Sequence, residues 1–504
     1  MESESPASCA TLLRERINAI SDINSATAVL QWDQEVHMPP KGAAARGAQL
    51  ATLSALAHRE FTGAETGRLL EECEATFDTL SEADRALTNI ARYDFERARK
   101  LPEKFVHKFA EETSAAYVAW VKAREESDFA KFQPNLERLI ELSREKAQYY
   151  GYTGSPYDAL LEDFERGMTA EQLKVIFAEL AEKQSKLVER ILTSGVQPDT
   201  SWMKGEWDLQ AQWDFGMCVL RDLGYDLDAG RQDKSVHPFS TIFAIDDVRI
   251  TTRLNTEEFF SSLTGTIHEC GHALYMQGHS REDARTMLAD GASLGMHESQ
   301  SRMWENVIGR SLPFWNHYTP ILREYHKGKL DNVTPEQIHK AINRVQPSLI
   351  RVEADECTYN LHIIVRFEIE VGLIEGTLRV QDVPEIWNAR IKSYLGLDVP
   401  NNAQGCLQDI HWSHGAFAYF PTYALGNLYA AQLFETIERD IPSLWQEVET
   451  GNFRLLLDWL RDRIHRHGRR KLAPDLLREV TGSGLSSGPF LNYLERKYGA
   501  LYRV

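Results

Sequence analysis

Apolar residues recur three and four positions apart through most of this chain, the spacing of a buried helical face. Leu87, Ile90, Ala91, Tyr93 and Phe95 follow the opening Ser81-Glu-Ala-Asp, and Leu173, Ile176, Phe177 and Leu180 follow Thr169-Ala-Glu-Gln. Both openings offer a side-chain cap and an acidic first turn. The pattern predicts successive amphipathic helices over residues 8–190, with Thr193–Thr200 the clearest loop. One stretch alternates instead. Ser240–Ile245, a turn at Asp246-Asp247 and Val248–Arg253 predict a short β-hairpin rich in β-branched residues.

Helical spacing then resumes. Thr256 can cap a helix whose first turn carries Glu257 and Glu258, whose stripe is Phe259, Leu263, Ile267 and Leu274, and whose end is marked by Gly278. Further helices are predicted over Gly295–Asn306, Leu349–Glu368, Tyr423–Arg439 and Asn452–Arg466. No repeat and no low-complexity segment interrupts them, which disfavours a solenoid. The expected fold class is mostly α.

Composition narrows the function classes. With 56 Lys and Arg against 74 Asp and Glu the net charge is −18, the wrong sign for a protein that neutralises nucleic-acid phosphates. An apolar content of 43% fills a sizeable core. No apolar run approaches the ~18 residues of a membrane span, and MESESPASCATLLRERI lacks the basic start and apolar segment of a leader. A cytoplasmic protein is the expectation. Six scattered cysteines without a CxxC pair fit reduced thiols, mostly small buried hydrophobes.

Candidate chemistry lies directly after the hairpin, in His268-Glu269-Cys-Gly-His272. On a helix, residues four apart are displaced by ~6 Å along the axis and ~40° around it, so the two imidazoles converge on one ion. Glu269, one residue on, is placed as general base for an attacking water. Among 16 histidines such a pattern also arises by chance, with both rings as ordinary polar groups on a helix. A third ligand distinguishes the two readings, because a catalytic site takes three protein ligands. Glu298 lies 26 residues after His272, room for a loop and a returning helix. On spacing alone His297 and Glu305 are rival ligands, and Glu305 also suits a role holding a ligand from behind, or a place on the solvated surface.

At this point the chain resembles the carboxypeptidase Taq family of HExxH metallocarboxypeptidases. The resemblance runs through Trp32-Asp33, Met38-Pro39, Gly42, Tyr157-Asp-Ala-Leu-Leu, His237-Pro-Phe239, Asp247-Val-Arg249-Ile-Thr251, the HExxH segment, His297-Glu-Ser299, Ile350-Arg351-Val-Glu-Ala-Asp355 and Gly405-Cys-Leu-Gln408-Asp409-Ile-His411-Trp412. Ala416 and Ala418, after the last motif, depart from the pattern. The resemblance implies one divalent ion, by default Zn2+ with Co2+ or Mn2+ as alternatives, on His268, His272 and Glu298, with Glu269 as general base. It also implies a single metallocarboxypeptidase domain over residues 1–504, with N-terminal helices over 8–190 flanking a deep groove and catalytic helices over 237–430. The shape would be similar to neurolysin and angiotensin-converting enzyme, and the assembly a homodimer.

A peptidase that removes one residue from a free C-terminus must hold a carboxylate at a fixed distance from its ion. Arg351 suits this, since a guanidinium fork binds carboxylate bidentately. A plain salt bridge from Arg351 to Asp355, four residues on, is the competing reading. Gln408 and His411 can complete the carboxylate site. Tyr423, then His411, are the expected oxyanion donors in a tract that also holds His414 and Tyr419. His237 and Arg249 on the hairpin can border an extended substrate or serve the fold alone. The basic run Arg461–Lys471 reads as a solvated helix end before Gly468, and Thr481-Gly-Ser-Gly-Leu lacks the lysine of a phosphate loop. Two competitors remain: a related helical zinc peptidase that removes dipeptides or cuts internally, and a helical binding scaffold with a vestigial HExxH.

Overall fold

A computed structural model describes residues 8–504, so the first seven residues of the predicted domain and of the predicted leaderless start lie outside it. The helix openings are made as their sequences dictate. Ser81 accepts a hydrogen bond from the Asp84 amide ahead of Glu82–Lys100, and Leu87, Ile90, Ala91 and Phe95 are buried. Thr169 and Gln172 form a reciprocal capping box ahead of Ala170–Thr193. The N-terminal helices share a small core of their own around Leu13, Ile17, Leu70, Leu87 and Phe95. A much larger core runs from Ala116 to Tyr502. Among the described residues no helix is long and apolar enough to cross a membrane. All six cysteines are free, and Cys73, Cys270, Cys357 and Cys406 are buried.

The predicted hairpin is present as β2 (Ser240–Ala244) and β3 (Asp247–Thr252), with its turn at Ile245-Asp246, one residue earlier than expected. It belongs to a three-stranded sheet, because β1 (Gly230–Lys234) pairs parallel with β3 in the order β1-β3-β2. Gly-Arg-Gln-Asp-Lys carries no apolar alternation, so this edge strand leaves no pattern to read. The sheet leans on the N-terminal helix, where the Ser25 hydroxyl donates to the Phe243 carbonyl at 2.7 Å.

The helix carrying the HExxH segment spans Phe259–Gln277, starting after Thr256, whose carbonyl instead accepts from the Trp207 amide. It is buried on nearly every side, which an amphipathic pattern does not convey. Leu294–Arg302 packs across it, and at the crossing a Cβ on Gly271 would lie 2.6 Å from the Ser301 Cα, so only glycine lets the backbones approach. Arg302 leads into a π-helical segment, Met303–Ile308, where the apolar spacing predicts a continuing α-helix. Pro421–Asp440 covers the same region with Gly426 directly against the Glu298 side chain.

Two expectations are corrected. The helix predicted from Leu349 is a 3-10 turn, Arg351–Glu353, followed by a helix over Tyr359–Glu375. Asp355 causes the break: its carboxylate accepts from the amides of Gln346, Cys357 and Thr358, satisfying backbone in a non-helical path. The basic run is a solvated helix end only in its first part, where Arg461 and Arg463 stand in the last turn and Arg463 and Arg466 are exposed. That helix closes at Arg463, and the following turn at Gly468, φ 46°, delivers Arg469 onto Asp94 at 2.9 and 3.0 Å and Arg470 onto Asp283 at 2.6 and 2.7 Å. The Thr481 stretch ends a helix at Gly482.

Candidate metal centre and carboxylate site

His268, His272 and Glu298 each turn a ligand atom toward one point, all within 4.8 Å of one another. The Glu298 Oε2 lies 3.8 Å from His268 Nε2 and 3.6 Å from His272 Nε2. The rings stand nearly perpendicular, at 84°, with centroids 4.9 Å apart. The opposite edge of each ring is occupied. His268 Nδ1 meets Glu305 Oε2 at 2.9 Å, and His272 Nδ1 meets His297 Nδ1 at 2.6 Å. An ionised carboxylate only accepts, so His268 carries its proton on Nδ1 and presents a bare Nε2. Three acceptors that converge with no donor among them suit a divalent cation of the kind imidazole and carboxylate bind. These three residues can hold such an ion.

The surrounding charges keep the carboxylates ionised despite burial. Arg302 donates from Nε to Glu298 Oε1 at 2.7 Å, leaving Oε2 for the shared point. Burial alone would raise Glu298, but Arg302 and then the two imidazoles hold it well below the usual carboxylate range. Glu305 is also raised by burial, and His268, Arg302 and Arg310 reverse that and hold it far lower. His297 and Glu305 therefore stand behind the rings and are not rival ligands. Burial first, and the neighbouring imidazoles next, keep His297 well below the ordinary histidine value. Glu269 is buried, and among the described residues no side-chain hydrogen bond engages it.

A second cluster centres on Arg351. Its Nε and one terminal nitrogen donate to Asp409 Oδ1 at 3.1 and 2.9 Å, and the other terminal nitrogen donates to the Tyr359 hydroxyl at 2.9 Å. The competing salt bridge to Asp355 does not form, since Asp355 is taken up by backbone amides. Arg366, wholly buried, shares the same carboxylate through Oδ2 at 2.7 Å. Two guanidinium groups thus lean on one carboxylate, so Asp409 matches only one of their two positive charges. Three of the five Arg351 N–H groups are used, so two remain. Arg302 joins the clusters, its guanidinium 4.8 Å from the Tyr359 ring centre.

Gln408 is corrected to a scaffold. Its carbonyl accepts from the Arg351 amide and from Arg366, both at 2.9 Å, and its NH2 donates to the carbonyls of Leu349, Gln404 and Gly405, which leaves nothing for a substrate. His411 Nε2 lies 3.4 Å from the Tyr423 hydroxyl, and burial lowers the imidazole to about 4. Tyr423 packs under Arg351 at 5.1 Å, and burial and nearby phenols push its hydroxyl well up. Glu370 braces this tract from below, accepting from Trp412 Nε1 at 2.8 Å and from the Ala418 amide at 3.0 Å. Ala418 itself sits at φ 67°, where glycine is favoured.

The sheet residues stand apart. Arg249 makes a fork with Asp247 at 2.8 and 2.9 Å and lies 4.5 Å from the Trp32 ring centre. His237 is exposed, and its neighbour Pro238 approaches the HExxH helix at Gly265. No hydrogen bond or ring contact joins either residue to the triad or to Arg351 among the described residues. Arg302, Tyr359, Arg366 and Asp409 carry the site although the sequence reading assigns them no role in it. Arg302 stands four residues from Glu298, a spacing that pairs charges on a helix and is a legible signal; Arg366 and Tyr359 give no local signal.

Residues 12–498 match the family model described as carboxypeptidase Taq (M32) metallopeptidase. The chain is 44% identical to thermostable carboxypeptidase 1 of Thermus thermophilus over 94% of this chain and 95% of that one. It is 40% identical to carboxypeptidase 1 of Bacillus subtilis, over 96% and 97%. Among solved structures, the M32 carboxypeptidase of Deinococcus radiodurans superposes with a TM-score of 0.96 at 39% identity, covering 98% of this chain and 99% of that one.

Proposed function

The chain belongs to the carboxypeptidase Taq (M32) metallopeptidase family, and on that premise we propose that it releases single residues from the free C-terminus of peptides, with broad side-chain tolerance and Glu269 as general base. The observation that carries this reading is the unbalanced charge of Arg351 and Arg366 over Asp409, linked through Tyr359 and Arg302 to the carboxylate of the triad. A buried excess cation is costly until an anion meets it, and the terminal carboxylate of a peptide is such an anion. An enzyme cutting internally has no use for it.

A divalent ion held by His268, His272 and Glu298 would supply Lewis-acid chemistry, polarising the scissile carbonyl and making water more acidic. Glu269 takes a proton from the attacking water and delivers it to the nitrogen of the leaving residue. Arg351 holds the terminal carboxylate with its two free N–H groups, while Asp409 and Tyr359 fix the direction of the fork and Gln408 fixes the Arg351 backbone. Tyr423 donates its phenolic proton to the oxygen that gains charge, and His411, neutral at physiological pH, serves beside it. Arg249 and His237 border the extended part of the peptide along the sheet.

The same reading takes residues 1–504 as one unit working in the cytoplasm as a homodimer, with the groove and overall shape of neurolysin and angiotensin-converting enzyme. Zinc is the default ion, and a site of two nitrogens and one oxygen also accepts cobalt or manganese. The test is mass spectrometry of matched peptides with free-acid and amidated C-termini, with and without added metal. A one-residue ladder from the free acids alone is expected. Internal cleavage, dipeptide release or equal attack on the amides would overturn the assignment.

A further inference from the structure

His272 and His268 are backed differently. Behind His268 stands the carboxylate of Glu305; behind His272 stands an imidazole, His297, with Nδ1 facing Nδ1 at 2.6 Å and ring centroids 4.5 Å apart. Two nitrogens at that distance share one proton. If His297 held it on Nδ1, His272 would have to accept there and carry its own proton on Nε2, the atom that faces Glu298 at 3.6 Å. A ligating His272 therefore donates from Nδ1, and His297 accepts on Nδ1 with its proton on Nε2. The fold leaves room for that proton. His297 lines a cavity of about 270 Å³ that also touches Tyr93, Arg166, Asp290 and Arg469, and its Cδ2 packs over Gly291.

We propose that His297 is a positioning residue, a neutral hydrogen-bond acceptor that fixes the tautomer and ring angle of His272 without adding charge to the metal centre. The inference rests on the metal-site reading above. Charge explains why an imidazole serves here and a carboxylate does not. Arg302 pairs with both Glu298 and Glu305, Glu305 also meets Arg310, and the buried Glu269 has no ion pair among the described residues, so three carboxylates stand against two guanidinium groups here. A second backing carboxylate would add another negative charge, strengthen the hold on the ion and weaken it as a Lewis acid.

The test compares Zn2+ affinity of the full-length protein, by competition with a chromophoric chelator, alongside kcat and KM. His297→Leu fills the space but cannot accept. In His297→Asn the amide oxygen, bonded to Cγ as Nδ1 is, reaches nearly the same point. Affinity should fall 10- to 100-fold in His297→Leu and return to within about threefold of wild type in His297→Asn. His297→Asp, polar and compact, covers the case in which the leucine variant does not fold, and should bind Zn2+ more tightly than wild type with a lower kcat. Unchanged affinity in His297→Leu, an asparagine variant as weak as the leucine one, or an aspartate variant no tighter than wild type overturns the proposal. His272→Ala and Glu298→Ala separate the two readings: if they bind Zn2+ like wild type, the metal site itself is misassigned.

Discussion

Removing the Arg351 charge tests the link between buried electrostatics and exopeptidase action. In Arg351→Met the guanidinium that faces the Tyr423 and Phe420 rings is replaced by an uncharged thioether, and Asp409 keeps Arg366 as its partner at 2.7 Å, so the pair left behind is charge-matched. The cost in stability should stay below about 2 kcal/mol, chiefly the hydrogen bonds from Arg351 to Asp409 and Tyr359. Substrate binding should suffer more. Truncating one partner of a desolvated, charge-assisted pair costs about 2–5 kcal/mol, roughly 30- to several thousand-fold in kcat/KM on free-acid peptides. Peptides with an amidated end never make that ion pair, so the preference for free acids should collapse. The opposite change, Asp409→Asn, leaves two buried guanidinium groups facing each other without a carboxylate and should cost about 3–5 kcal/mol. Steady-state kinetics on matched acid and amide peptides, with denaturant unfolding of both variants, measure all of this. A methionine variant that keeps its free-acid preference, or an asparagine variant as stable as wild type, refutes the reasoning.

Three further outcomes follow from the same geometry. Glu269→Gln should lose turnover by at least about a thousandfold while equilibrium dialysis finds its metal still bound, because among the described residues its side chain makes no hydrogen bond and is not one of the three converging ligands; residual activity near wild type would remove it as the base. Glu165 is buried and accepts from Ser293 Oγ at 2.7 Å, Tyr429 Oη at 2.8 Å and the Gly295 amide at 2.9 Å, and burial pushes its carboxyl up to about 7. A carboxyl raised above its unfolded value binds its proton more tightly when folded, so it contributes stability below about pH 4.5 that is lost as pH rises through 7, about 3 kcal/mol in all. Glu165→Gln should therefore flatten the fall of Tm between pH 5 and 8, and an unchanged slope against wild type would count against it. Gly271→Ala puts a Cβ 2.6 Å from the Ser301 Cα and 2.8 Å from the Gln300 carbonyl, so the two ligand-bearing helices must part; a loss of about 1–3 kcal/mol and reduced metal content are expected, and a normal metal content would contradict the close-approach argument.

Local chemistry explains which parts are legible in the sequence. Caps at Ser81 and Thr169, the hairpin and the pairing of His268 with His272 on one helix face are set by short-range rules, so spacing predicts them, whereas spacing leaves Glu298 level with His297 and Glu305 and only the family resemblance singles it out. Strand β1 leaves no periodicity to read, and the π-helical turn that seats Glu305 has the apolar spacing of an ordinary α-helix, so neither is visible without its tertiary partners. The apolar neighbours of Arg351 have helical spacing, yet Asp355 diverts the backbone by accepting from three amides. Gln408 is a substrate donor by residue type, and only the count of its partners shows that it is saturated. The Arg461–Lys471 run has the composition of charge facing solvent, but Asp94 and Asp283, hundreds of residues earlier, take up two of its guanidinium groups.

The series of contacts from Glu298 to Arg366 also constrains where the peptide is cut. Glu298 Oε1 is held by Arg302, Arg302 lies over Tyr359, the Tyr359 hydroxyl takes Arg351, and Arg351 shares Asp409 with Arg366. Each link is buried or nearly so, and each uses a planar or bidentate group whose direction is fixed. On the proposed function, a terminal carboxylate on Arg351 and a scissile carbonyl at the triad would be spaced by this series of polar contacts and not by a flexible loop. Loosening one member should alter which bond is cut before it abolishes cutting. Tyr359→Phe removes a single hydroxyl from the middle of the series and leaves both ends intact. Its expected signature is a mixed product ladder, with some dipeptide release, at near-normal metal content; a clean one-residue ladder at the wild-type rate would mean that the spacing is set elsewhere.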